Sequence, residues 1–279
     1  MLGSTVPAVV LQCGWRRKSR SGSPQPRSFG HAWPVAAANV VRARLDRLIG
    51  RGLRRVLLST TYVLTQRPIL ALTFDDGPDP RLTPGVLDVL RDRKARATFL
   101  LVAERVRQHP DLAQQVLAGG HEVGLHGNRH VDVRGGSIAE QFRALRQGRS
   151  DVEALLGVRI AWFRPPYGKQ EPETVIACRL AGMRPLMWST SAHDWRPDPI
   201  EDQLTHAASG LRPGAVVLLH DGSARIAEPP PPPPRTQPEL LERLLDLMDE
   251  RSLATVTISE LCASGDQVRA PWFEQWLHH

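Results

Sequence analysis

From residue 68 onward, short apolar runs alternate with longer amphipathic stretches, and this alternation constrains the fold more than any other feature of the chain. The apolar runs fall at 69–74, 98–102, 122–125, 160–163, 185–189, 215–219 and 254–258. Helical spacing occupies 82–93, 104–118, 137–156, 171–181, 199–210 and 237–251. Runs this short read as strands, and a helix between successive strands makes them parallel with helical crossovers. A barrel and an open sheet both satisfy the pattern. Either architecture builds its sites at the C-terminal ends of the strands, so the residues that follow each apolar run are the candidates for chemistry.

Several of those runs end in polar clusters. The first ends in Thr73-Phe74-Asp75-Asp76-Gly77-Pro78, where two adjacent carboxylates open a Gly-Pro turn. Carboxylates held together repel and need a cation or a shared proton, unless the turn leaves them solvated. The third ends in His126-Gly127-Asn128-Arg129-His130, whose histidines face one site if the segment coils. Imidazoles and a carboxylate together suit a divalent metal, and two His with one Asp leave coordination positions open; structural histidines are the alternative. Arg164-Pro165-Pro166-Tyr167-Gly168 is a rigid turn with an arginine at its start, able to clamp a carboxylate or to form a surface ion pair. A polar aromatic loop runs from Trp188 to Trp195, and residues 216–219 deliver His220, a group suited to acid or base work.

In this order, each at a strand end, the clusters resemble the polysaccharide deacetylase family (NodB-homology domain, carbohydrate esterase family 4), over residues 69–261. The resemblance implies a distorted (β/α) barrel of about seven parallel strands and a hydrolase acting on carbon–nitrogen bonds. It implies one divalent metal, zinc first, with cobalt, manganese or nickel as alternatives, held by Asp76, His126 and His130. Asp75 would be the general base and Arg164 would hold it in place. The backbone N–H of Tyr167 would stabilise the oxyanion and His220 would protonate the leaving amine. Leu218 and Trp195 would form the apolar pocket for the acetyl methyl group. The implied substrate is an acetylated glycan containing GlcNAc, peptidoglycan- or chitin-like, which makes the cell envelope the expected location. Another amide or an O-acetyl ester on a small molecule is the alternative reaction. A non-catalytic carbohydrate-binding pseudoenzyme is the alternative of another class.

Two positions depart from the family pattern. Gly127 stands where Ser or Thr is common, which removes a hydroxyl that can brace the loop. Ser191 stands at the start of the Asp-x-x-Asp-Trp pattern, in the place read as that of the Asp orienting the catalytic histidine. With a hydroxyl there, His220 is expected to titrate lower than beside a carboxylate, unless Asp194 or Asp221 stands in.

The remaining composition bears on partners. The chain of 279 residues carries a net charge of +7, but residues 1–67 hold 12 Lys and Arg against the single acid Asp46, and the other 212 residues hold 24 against 28. The body is therefore mildly acidic, and the basic segment offers few aromatics for stacking on bases, so no nucleic-acid partner is expected. Residues 1–36, rich in Ser, Pro, Gly and Arg, read as disordered, and 37–67 as a basic amphipathic helix with a linker. That helix, within 37–60, either packs on its own domain or lies on an anionic membrane. The catalytic domain is expected at 68–262 and a tail at 263–279. No secretory signal is legible, because Arg16-Arg17-Lys18 follows the short apolar run instead of preceding it. No run approaches the roughly 18 apolar residues that span a bilayer. Six prolines, Pro229 to Pro234, read as a stiff surface spacer. Cys13, Cys178 and Cys262 lack metal spacing, and Cys178 reads as a buried inert thiol. Oligomeric state has no signature in the sequence.

Overall fold

A computed structural model describes residues 57–223 and 236–271. In chain order the elements are β1 (Ser59–Leu64), β2 (Ile69–Asp75), α1 (Thr83–Asp92), β3 (Ala97–Leu101), α2 (Ala103–Gln108), α3 (Pro110–Ala118), β4 (Glu122–Leu125), α4 (Ile138–Leu156), β5 (Trp162–Phe163), α5 (Pro172–Leu180), β6 (Arg184–Pro185), β7 (Thr190–Ser191), α6 (Ile200–Gly210), β8 (Val216–His220), α7 (Thr236–Glu250), β9 (Ala254–Thr255), α8 (Ile258–Ala263) and β10 (Asp266–Ala270). The main sheet runs β6-β5-β4-β3-β2-β8-β7, with parallel pairing throughout and β9 joined to the start of β2. It is a distorted (β/α) barrel of seven parallel strands with helices on its outer face. β2, buried along its whole length, is its centre.

Side-chain parity divides the barrel into two apolar cores. Leu70, Leu72 and Phe74 of β2 and Val217 and Leu219 of β8 pack outward under the helices. Ile69 and Ala71 of β2, Val216 of β8, Leu100 of β3 and Trp162 of β5 pack inward, where Ile258 and Leu261 of α8 close one end. Continuing the two-residue period up each strand puts Thr73, Asp75, Leu218, His220 and Arg164 on the inward set at the other end. The alternation that builds the core thus also aims the polar side chains into the mouth.

Three sequence expectations need correction. Residues 104–118 are two helices, because Pro110 has no N–H to continue α2 and instead opens α3. Residues 59–64, expected as helix and linker, form strand β1, and 266–270, expected as tail, form β10, its antiparallel partner. β1 also bridges the open side of the barrel: Met187 N–H, just past β6, donates to Thr60 C=O at 2.7 Å, and Val63 N–H donates to Gly214 C=O, just before β8, at 2.9 Å. The segment at 1–56 and the proline run at 229–234 lie outside the described residues, so the disorder, amphipathic-helix and membrane-contact expectations fall there. No helix among the described residues is long and apolar enough to cross a membrane. Cys178 is fully buried, and burial pushes its thiol up, as an inert core residue requires.

Candidate active site

Asp75 closes β2 and Asp76 follows it, and both are buried. The chain turns sharply between them, Asp76 taking a left-handed φ of 76° that sends its side chain away from the strand alternation. Asp75 stays on the inward face, where Arg164 Nη1 donates to its Oδ1 at 2.7 Å. The same Nη1 lies 3.0 Å from the Thr73 hydroxyl, and Nη2 donates to Met187 C=O at 3.0 Å. The arginine is fully buried, so burial lowers its pKa while the Asp75 charge and hydrogen bond oppose the shift. A guanidinium tied to a side chain and a backbone carbonyl in this way is a rigid clamp.

Asp76 faces the two histidines. His126 Nε2 lies 3.3 Å and His130 Nε2 3.0 Å from Asp76 Oδ1, and one ligand atom from each of the three residues lies within 4.8 Å of the others. His126 Nδ1 donates to Arg164 C=O at 2.9 Å, which leaves its Nε2 lone pair directed at the cluster. Asp76 Oδ1 is nevertheless a buried oxygen without a hydrogen bond. Burial alone would raise the Asp76 carboxyl, but the two imidazoles, with His220 beyond them, hold it well below the usual carboxylate range. A buried carboxylate oxygen and two imidazole nitrogens converge here, and among the described residues no group other than these imidazoles lies against that oxygen. That donor set fits a divalent cation.

The loop carrying His126 and His130 is braced without the hydroxyl missing at Gly127. Gly127 has φ +93°, and an added Cβ would lie 2.9 Å from Arg129 C=O, so the turn requires glycine. The N–H groups of Ala103 and Glu104 donate to Gly127 and Asn128 C=O, each at 3.0 Å, and Arg107 Nη1 donates to Asn128 Oδ1 at 3.0 Å.

The acid side differs from the sequence expectation. Ser191 does not orient His220: its hydroxyl accepts the His193 N–H at 3.1 Å and closes the turn out of β7. Asp194 is the partner instead. His193 takes φ 56°, which swings Asp194 back under β8, where its Oδ1 lies 2.8 Å from His220 Nδ1 and its Oδ2 accepts the His220 N–H at 2.7 Å. Burial disfavours the charged imidazole, but the Asp194 charge and hydrogen bond, then Asp76 and Asp75, raise His220 to about 9. The exception allowed for in the sequence, that Asp194 stands in for the missing carboxylate, is the case that the structure shows. Its signal in the sequence is that Asp194 directly precedes Trp195, the one fixed pair left of that motif.

Two half-exposed aromatics flank the cluster. Trp195 stands edge-on to His220 with ring centroids 5.3 Å apart, and Tyr167 edge-on to His130 at 4.4 Å. Their parent strands β7 and β5 lie on opposite sides of β2, so the rings border the mouth from two sides. Tyr167 has φ 60°, in the turn that Pro165 and Pro166 open. Leu218 is buried between Thr73 and Ser191 in register, immediately below His220.

Residues 63–186 match the family model described as polysaccharide deacetylase. The chain is 34% identical over 215 residues to a peptidoglycan-N-acetylglucosamine deacetylase of Bacillus cereus, covering 75% of this chain and 97% of that protein. It is 37% identical over 210 residues to a chitooligosaccharide deacetylase of Rhizobium leguminosarum bv. phaseoli, covering 72% of this chain and 90% of the relative. Among solved structures it resembles a family 4 acetyl xylan esterase from Clostridium thermocellum in complex with a cobalt ion, at 28% identity and TM-score 0.62, covering 70% of this chain and 90% of that one. With nearly the full length of the Bacillus cereus relative aligned and the strand-end motifs assembled in one mouth, the chain belongs to the polysaccharide deacetylase family.

Proposed function

We propose that this protein is a metal-dependent hydrolase that removes N-acetyl groups from GlcNAc-containing glycans, peptidoglycan or chitin-like. The observation that carries the reading is the Asp76, His126 and His130 triad beside an Arg164-clamped Asp75, facing a carboxylate-paired His220. The three ligands would hold a divalent ion, zinc first among cobalt, manganese and nickel. Such an ion polarises an acetamide carbonyl and makes water a stronger acid.

The chain's own groups divide the remaining work. Asp75, kept in place by Arg164, accepts the proton of the attacking water. The Tyr167 N–H donates to the oxygen that gains charge. His220, positively charged through Asp194, gives its proton to the departing amine, which leaves as a neutral group. Leu218 and Trp195 line the space for the methyl group, while Tyr167 and Trp195 border the sugar. Relatives that act on peptidoglycan favour the cell envelope as the place of action.

The test is acetate release from N-acetylated chito-oligosaccharides and from peptidoglycan, before and after chelation and after return of Zn²⁺ or Co²⁺. Activity should vanish on chelation and return with metal. Acetylated xylan is a further arm because of the esterase likeness, and release from xylan alone would move the reaction to esters. A wild-type protein that binds no divalent metal sinks the proposal.

A further inference from the structure

Behind the Asp75-Asp76 turn lies a fully buried carboxylate that the chemistry above leaves unused. Asp221 follows His220 at the end of β8 and is 0% exposed. Its Oδ1 accepts the Gly77 N–H at 3.2 Å and its Oδ2 accepts the Thr83 hydroxyl at 2.6 Å. Its own N–H donates to Asp75 C=O at 3.1 Å. The Thr83 oxygen in turn accepts the Asp79 N–H at 2.8 Å, so one carboxylate ties down the whole turn from 75 to 83. Contact is close enough that a Cβ at Gly77 would collide with the carboxylate.

A second tie runs beside the first. Arg105 of α2, itself buried, donates from Nη1 to Asp76 C=O at 2.7 Å and from Nη2 to Ser223 C=O. A Cβ at Gly222 would meet the Asp76 carbonyl carbon at 2.7 Å, so the two turns pack backbone to backbone. Asp76 needs such support, because its left-handed φ of 76° is disfavoured for a residue with a side chain. Without the Asp221 carboxylate, the Gly77 N–H and the Thr83 hydroxyl would each lose a buried partner.

We infer that Asp221, with Thr83 and Arg105, is a positioning brace that locks the end of β2 to the end of β8. It holds Asp76 Oδ1 on the two imidazoles and sets the separation between Asp75 and His220. Asp221 touches no reacting atom. The inference rests on the reading of Asp76 as a metal ligand.

Co²⁺ is the probe, with affinity read by calorimetry and ligand geometry by visible absorption. Asp221→Asn and Thr83→Val should weaken Co²⁺ binding about tenfold or more and alter its absorption. Thr83→Ser should restore both. Turnover should fall with KM unchanged, because the substrate walls are untouched. The double variant should lose no more than the worse single one, since both cut one tie. Folded variants with wild-type affinity and spectrum would overturn the brace. Should Asp221→Asn fail to fold, Thr83→Val decides by the same criterion. Wild-type protein that takes up no Co²⁺ would overturn the proposed function itself, which is a different result from variants that match a metal-binding wild type.

Discussion

The two sides of the mouth are built on different plans. The side with Asp75, Asp76, His126, His130 and Arg164 draws on three strands, β2, β4 and β5, and each of these five residues is buried. The side with His220 depends on β8 and the single turn leaving β7, and beside it Trp195 is 52% exposed. The first is a dry arrangement in which each group is fixed by partners far away in the chain. The second is one histidine whose one hydrogen-bonded carboxylate is Asp194, with Asp76 and Asp75 acting on it through charge. Truncation on the first side leaves buried charge without compensation, whereas change on the second side shifts a titration.

Variants test that contrast, and the largest effect is expected from His126→Ala. It removes one of the three proposed ligands and should abolish both metal content, measured by elemental analysis, and acetate release. Asp75→Asn comes next. It should keep the metal but lose ~10²- to 10⁴-fold in turnover, the range for a general base. Loss of metal from this variant would move Asp75 into the ligand set and blur the division drawn above.

Asp194→Asn should act through pH. His220 is raised to about 9, so its protonated form is favoured in the folded protein. The stability contributed by the pair is complete below the ordinary histidine value near 6.5 and is lost as pH rises through about 9. If His220 is the acid, as proposed, turnover should fall over the same alkaline limb. The variant should move that limb to lower pH and cost ~10²-fold near neutrality, with His220 followed by NMR titration. An unmoved His220 would show that the acid side is not governed by Asp194. Ser191→Ala should be mildest, within about 1 kcal/mol of stability by chemical denaturation, since it deletes one turn hydrogen bond.

The same contrast explains what the sequence revealed. That Asp75, Asp76, His126, His130 and Arg164 come together was legible because they are adjacent pairs or short spacings at the ends of clear apolar runs, and two-residue parity alone points Asp75 and Arg164 inward. On the acid side, spacing selected residue 191 for a place that residue 194 fills. The outcome there depends on the left-handed turn at His193, which no count of residues reveals. The β1–β10 ribbon was missed for another reason. Its strands pair across about two hundred residues, and β1 sits at the end of an arginine-rich stretch whose apolar spacing also fits a helix.

That ribbon also decides where the described chain enters and leaves the barrel. Ser59 pairs with Ala270, so the routes into and out of the barrel lie side by side. The Ser59 hydroxyl also meets Gln170, two residues past the Tyr167 turn, so this doorway opens on the rim of the mouth and not on the closed end under α8. The described residues thus begin and end as neighbouring strands on that rim.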